Sequence, residues 1–181
     1  NGHNPARAIS KLIIDIPELT AREDHRGVVM ATVVCVRIGE EAFGTNAGFG
    51  QLMLTIRAEF ESELDALDAE ICARARAYAR QDGITNVEVQ YRDSFTETRN
   101  TPDTVAAVRK ARLECGLPEA RWDEPFRSSE DFGCYTKLTS GALFYIGCGT
   151  RHAKLHTREY DFNDEIIEPA VDMMFRLAQD A

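Results

Sequence analysis

The sequence predicts an α+β fold built in two parts, and three observations carry that expectation. Apolar residues recur at helical spacing in four separate stretches, whereas three short segments between residues 28 and 93 are β-branched or strictly alternating. The elements of the first half fall in the order α-β-β-α-β. A polar stretch near Phe95–Asn100 then precedes a freshly capped helix, which places a boundary there and divides residues 4–97 from residues 98–181.

Asn4-Pro5 opens the first helix, with Asn as N-cap and Pro at the first helical position. Ile9, Leu12, Ile13 and Ile16 form one apolar face, and Pro17 is expected to end or kink the helix. After a polar turn through Arg22, Glu23, Asp24 and Gly27, the run Val28–Arg37 is apolar on both faces, the pattern of a well-covered strand. Gly39, Gly44, Gly48 and Gly50 mark a loop. Gln51–Arg57 sets Leu52, Leu54 and Ile56 against Gln51, Thr55 and Arg57, a strand with one polar face. A helix from Glu61 to Gln81 turns Leu64, Leu67, Ile71 and Tyr78 inward and stops at Asp82-Gly83. Asn86–Asp93 alternates Val87, Val89 and Tyr91 with Glu88, Gln90 and Arg92, which predicts a third strand. One further strand ahead of this series would complete the split β-α-β plan twice over, a ferredoxin-like arrangement whose first strand is missing.

In the second half Thr101-Pro102 starts a helix with Val105, Val108 and Ala111 inward, ending at Gly116-Leu117-Pro118. An irregular stretch, Arg121–Ser128, holds the single tryptophan, Trp122. Glu130–Leu138 reads as a short helix with Ser128 and Asp131 as its capping box. Leu143–Ile146 reads as a strand. A closing amphipathic helix begins at Asn163 or Asp164 and turns Ile167, Val171, Met174 and Ala178 inward, with Pro169 in its first turn.

With 44% apolar and 28% charged residues, the 181-residue chain has the composition of a soluble globular protein. A net charge of −9 argues against nucleic acid as a partner. No apolar run has the length of a membrane helix, and the N-terminus lacks a signal pattern, so no membrane partner is expected. Five scattered cysteines (Cys35, Cys72, Cys115, Cys134 and Cys148) form neither a disulfide framework nor a zinc ribbon; they predict free buried thiols and a cytoplasmic setting. No base or orienting group marks any of them as a nucleophile. The first residue is Asn, from which the chain is expected to begin inside a longer protein or after processing.

Three motifs follow one another in the second half. Ser129-Glu130-Asp131-Phe132 is followed by the apolar run from Gly141 to Gly147, and then by Leu155-His156-Thr157-Arg158-Glu159-Tyr160-Asp161-Phe162. That order resembles the C-terminal part of zinc metallopeptidases of the aminoacylase and carboxypeptidase G type, and their amidohydrolase branch most of all. On the residues alone a single His is a weak metal signal. His152 and His156 share the i, i+4 spacing of a helical metal site, yet Gly147, Gly149 and Thr150 favour a loop, where that spacing has no special geometry. The resemblance implies that His156 occupies a zinc-ligand position and His152 a variable one. It also implies that Glu130 and Asp131 line the pocket floor, that Arg57 reaches a substrate carboxylate from a lid, and that Asn100 is a polar hinge residue between lid and catalytic domain. Read without the resemblance, Arg57 is equally an exposed strand residue paired with a neighbour such as Glu59.

The first half of that family carries a His-x-Asp ligand pair, further ligands and a Glu-Glu pair with the water-activating base. None of these is in the present residues, because the one Glu-Glu pair, Glu40-Glu41, sits in a loop of the first unit. No catalytic residue is therefore assigned. The resemblance implies a lid or dimerisation domain at residues 4–97, followed by the C-terminal share of an α/β catalytic domain at residues 98–181. The complete enzyme would use zinc, or another divalent metal, to hydrolyse an amide bond in an N-acyl amino acid or small peptide. The chain alone is expected to hold no metal, to be inactive, and to form a homodimer through residues 4–97. Two other readings fit the same residues: a non-catalytic dimerisation or binding module, and an unrelated ferredoxin-like small-molecule-binding protein.

Overall fold

A computed structural model describes residues 2–120, 122–150 and 152–179. Arg121, which opens the expected irregular stretch, and the last two residues of the second part lie outside the described residues. The chain divides into two units, Asn1–Ser94 and Phe95–Ala181.

In the first unit, α1 (Ala6–Thr20) and α2 (Glu61–Gln81) pack on a two-stranded antiparallel sheet of β1 (Val29–Ile38) and β2 (Gly50–Ala58). Asn4 begins α1 as read, its Oδ1 accepting the Ala6 N–H at 2.9 Å. Pro17, however, does not end the helix. It lies inside α1, where its carbonyl still accepts the Ala21 N–H at 3.1 Å, so the helix runs one turn further. That extra turn places Leu19 in the core beside Leu12, Val29, Leu67 and Ile71. Helix α2 stops where Asp82-Gly83 predicts. Gly83 adopts φ 72°, its N–H reaches the Arg80 carbonyl at 3.1 Å, and the Ile84 N–H reaches Ala79 at 2.8 Å, a Schellman closure.

The sheet explains why Val28–Arg37 looked apolar on both faces. Pairing runs Val33↔Leu54 and then Cys35↔Met53, so Val34 is an extra, bulged residue and is 61% exposed. Past the bulge the phase shifts, and Val36 and Ile38 pair with Leu52 and Gly50 on the face that holds Leu54 and Ile56. One strand carries two alternations out of step, rather than a strand covered on both sides. Gly50 lets α1 approach: a Cβ there would stand 2.6 Å from Ile9 Cδ1 and 2.8 Å from Pro5 Cγ.

The third strand expected at Asn86–Asp93 does not form. Val87 and Val89 are half-buried and Glu88 and Gln90 exposed, but the expected alternation breaks at Tyr91, which is 63% exposed, and the segment has no ladder partner among the described residues. Alternation sets the two faces of an extended chain, whereas a strand needs a neighbour to accept its backbone hydrogen bonds.

The second unit contains α3 (Pro102–Glu114), the short α4 (Gly133–Thr136) and α5 (Ile167–Gln179), the last entered through a 3-10 turn at Asp164–Ile166. Helix α3 ends as predicted, with Gly116 at φ 66° and the Leu117 N–H on the Arg112 carbonyl at 3.1 Å. The helix expected over Glu130–Leu138 shortens to α4, and its capping box does not form: Phe132 precedes the helix without a side-chain cap. Leu143–Ile146 is irregular, not a strand. Helix α5 packs on α3 through a different face from the one predicted. Met173 is 3% exposed, whereas Ile167, Val171 and Met174 are 50–60% exposed and Ala178 is exposed. Ile166, Ala170, Met173 and Leu177 are as apolar as the predicted stripe, so spacing could not choose between them.

Candidate functional site

Four of the five candidate residues lie in the second unit, where Asn100 and the turn carrying Glu130 and Asp131 both border the segment Gly141–Leu143, whereas His156 lies in a separate turn. Asn100 clasps the backbone of one residue: its Nδ2 donates to the Leu143 carbonyl and its Oδ1 accepts the Leu143 N–H, both at 2.9 Å. Next to it the Thr101 N–H donates to the Gly141 carbonyl at 2.9 Å, and the Gly141 N–H returns to Thr101 Oγ1 at 3.2 Å. The two residues thus hold the segment Gly141–Leu143 as a strand neighbour would.

The Ser129-Glu130-Asp131-Phe132 turn arrives at the same place. Gly133 sits so close to the preceding backbone that a Cβ would stand 2.7 Å from the carbonyl oxygens of Thr96 and Glu97. The Phe132 ring lies 3.5 Å from where a Cβ on Gly141 would be. Glu130 and Asp131 are exposed on this turn, with the Asp131 carbonyl accepting the Cys134 N–H at 3.0 Å. Trp122, Phe126 and Tyr145 stack in sequence, with ring centroids 5.3 and 4.3 Å apart.

His156 is exposed in a turn closed by the Thr157 N–H on the Lys154 carbonyl at 3.2 Å, and it adopts φ 67°, a left-handed conformation uncommon outside glycine. His152 lines a polar cavity of about 350 Å³ with Cys148, Glu159, Asp161 and Asp164. There Asn163 ties the ends together: its Nδ2 donates to the Cys148 carbonyl at 3.1 Å, and its Oδ1 caps the Glu165 N–H at 3.1 Å. The sequence reading missed this tie, although Asn before a helical run is a cap signal. No group of three or more His, Cys, Asp and Glu that could hold a metal occurs among the described residues. A zinc site needs about four ligands, so the donors present do not fit a closed metal centre.

Arg57 lies in the first unit on β2, opposite Met30 in the register, on the sheet face away from Leu54 and Ile56. The neighbouring Glu59 accepts the Val28 N–H on its Oε2 at 3.2 Å. All five cysteines are free thiols, but only Cys72 is buried as expected and Cys134 is exposed, and no helix among the described residues is long and apolar enough to cross a membrane.

No protein-family model matches the chain. Over 133 residues it is 26% identical to an uncharacterized hydrolase of Staphylococcus haemolyticus, a match covering 70% of this chain and 34% of that protein. The chain thus spans about a third of the length of this curated relative. Among solved structures, it superposes on a candidate aminohydrolase from methicillin-resistant Staphylococcus aureus with a TM-score of 0.81 at 17% identity, covering 98% of this chain and 46% of the other. It superposes on a Bacillus subtilis dinuclear metal binding peptidase from the M20 family with a TM-score of 0.75 at 16% identity, covering 96% of this chain and 45% of the other. The chain therefore has the fold of a little under half of an M20-type peptidase or aminohydrolase, as its resemblance to the C-terminal part of such enzymes implied.

Proposed function

We propose that this chain is the lid and C-terminal catalytic share of a metal-dependent amidohydrolase that cleaves an amide bond in N-acyl amino acids or small peptides. The observation that carries this reading is the coincidence of two separate matches. The order S-E-D-F, apolar run, L-H points to the same class of protein as the fold, which matches over nearly the whole chain. In this reading residues 4–97 are the lid and dimerisation domain and residues 98–181 the catalytic share. His156 supplies one ligand to zinc or another divalent metal, while Arg57, Asn100, Glu130 and Asp131 border the substrate. A cytoplasmic setting belongs to the same reading and is supported by the five free thiols.

In this reading most of the metal ligands and the general base come from outside these residues, a view supported by the absence of a group of three metal donors among the described residues. The isolated chain is therefore expected to carry no stoichiometric zinc and to hydrolyse no acetylated amino acid. Elemental analysis after dialysis, together with a hydrolysis assay of the chain alone, tests this directly. One zinc per chain, or metal-dependent turnover, would overturn this account of where the ligands and base lie. The longer polypeptide should bind metal and hydrolyse, and His156→Ala there should lower both metal content and turnover by at least about tenfold. Unchanged metal content in that variant would remove His156 from the site.

A further inference from the structure

The ring of His25 is fixed between two acceptors in the first unit. Nδ1 lies 2.8 Å from Glu63 Oε2, and Nε2 lies 2.9 Å from the Leu19 carbonyl. A carbonyl oxygen cannot donate, and neither can an ionised carboxylate, so both contacts are hydrogen bonds only if both ring nitrogens carry protons. We propose that His25 is a pH-gated fastener between α1 and α2, closed only while its imidazole is doubly protonated.

The location supports the charge. Leu19 belongs to the last turn of α1, where carbonyls have no intrahelical partner and a cation is favoured. Glu63 belongs to the first turn of α2, where a carboxylate is favoured. The His25 and Glu63 side chains are only 14% and 17% exposed, so water can replace a lost contact only in part. The charged groups around the ring come from two elements. From α2 come Glu63 and Glu70, and from the turn after α1 come Arg22, Asp24 and Arg26, with Arg26 Nε 3.5 Å from Glu63 Oε1 and Arg22 paired to Asp24 at 2.8 Å. Glu70 is paired with Arg74 at 2.8 Å and Asp24 with Arg22, so Glu63 is the carboxylate shared between Arg26 and the ring.

The hydrogen bond to the Leu19 carbonyl, and then that to Glu63, hold the His25 pKa above the ordinary histidine value. The same ring holds the Glu63 carboxyl below its ordinary value. Because the folded value of His25 is raised, its contribution is complete below the unfolded histidine pKa and is lost as pH rises through the folded one. Because the folded value of Glu63 is lowered, its contribution is present above the unfolded glutamate pKa and is lost as pH falls through the folded one. The fastener is closed between those limits and releases the end of α1 on the alkaline side.

The test is an NMR titration of the histidine rings in the whole chain, together with amide exchange in the last turn of α1 corrected for intrinsic rate. The His25 midpoint is expected above the ordinary histidine value. Protection of the Ala21 amide, which donates to the Pro17 carbonyl, should fall severalfold across that same midpoint. Glu63→Gln keeps an acceptor without its charge and should move both transitions to lower pH together. A His25 midpoint at or below 6.5 would overturn the proposal. So would Ala21 protection that stays flat through the midpoint, or a Glu63→Gln midpoint that does not move.

Discussion

Asn100 commits both ends of its amide to one residue, Leu143, and so acts within the unit as a one-residue strand. Replacing it with Ala removes a donor and an acceptor together and strands two backbone groups in an exposed setting, a loss of about 1 kcal/mol. Urea unfolding followed by Trp122 fluorescence should show the midpoint fall, because that ring stacks on Phe126 inside the same unit. An unchanged midpoint would mean that water replaces the clasp at no cost. The sequence singled out Asn100 through its resemblance to a hinge residue, and the backbone clasp could not be read there because its partner lies 43 positions away. His156 shows a different limit. Its identity and its L-H context were legible, but the left-handed turn that presents it depends on a closure between Lys154 and Thr157 that no residue type announces. The pair formed by Tyr78 and Asp15 is a similar case. Tyr78 donates to Asp15, and this contact first, with Arg74 at 2.9 Å, holds the Asp15 carboxyl below its ordinary range and ties α1 to α2. Spacing placed Tyr78 inward without revealing the polar end of its contact.

At the level of elements, helices were legible where local chemistry ended them. The glycines after α2 and α3 adopt positive φ and close Schellman turns, a job that needs only neighbours in sequence. Strands were legible in pattern but not in pairing, since the partner of a ladder is nonlocal. The bulge at Val34 and the unpaired run at Asn86–Asp93 are both of that kind. The face of α5 was misread because both of its sides are apolar, and that correction can be measured. Met173 is 3% exposed and Met174 59% exposed. Met173→Ala should cost about 2–4 kcal/mol, because it leaves a cavity against neighbours that cannot fully collapse. Met174→Ala should stay within about 0.5 kcal/mol. Equal costs in paired unfolding curves would return α5 to its predicted orientation. Gly50 gives a second check on β2. With Ile9 and Pro5 within 3 Å of its missing Cβ, Gly50→Val should destabilise the first unit by about 1–3 kcal/mol through overpacking.

On the scale of the whole molecule, the first unit leaves much of its sheet unmatched. With only β1 and β2 paired among the described residues, each strand has an edge of backbone groups without a ladder neighbour, and such an edge invites pairing with another chain. Val34, Phe43 and Phe49 add 61%, 98% and 64% exposed apolar side chains to β1 and to the loop that follows it. Val87 and Val89 are half-buried between exposed Glu88 and Gln90 in a segment with no ladder partner among the described residues, so the unit holds more strand-forming sequence than its own ladder uses. Self-association relieves these features together, because a C2 contact matches one edge or apolar face with its own copy. This is the physical argument for the homodimer proposed through residues 4–97. Light scattering on the purified chain should therefore give twice the mass of one chain. Replacing Phe43 and Phe49 with Ser should shift the population toward monomer if the loop takes part, and should leave the dimer intact if the sheet edge alone carries it. A strictly monomeric wild-type chain at micromolar concentration would show that water and the bulge at Val34 protect the edge well enough, and the dimerisation reading would fall.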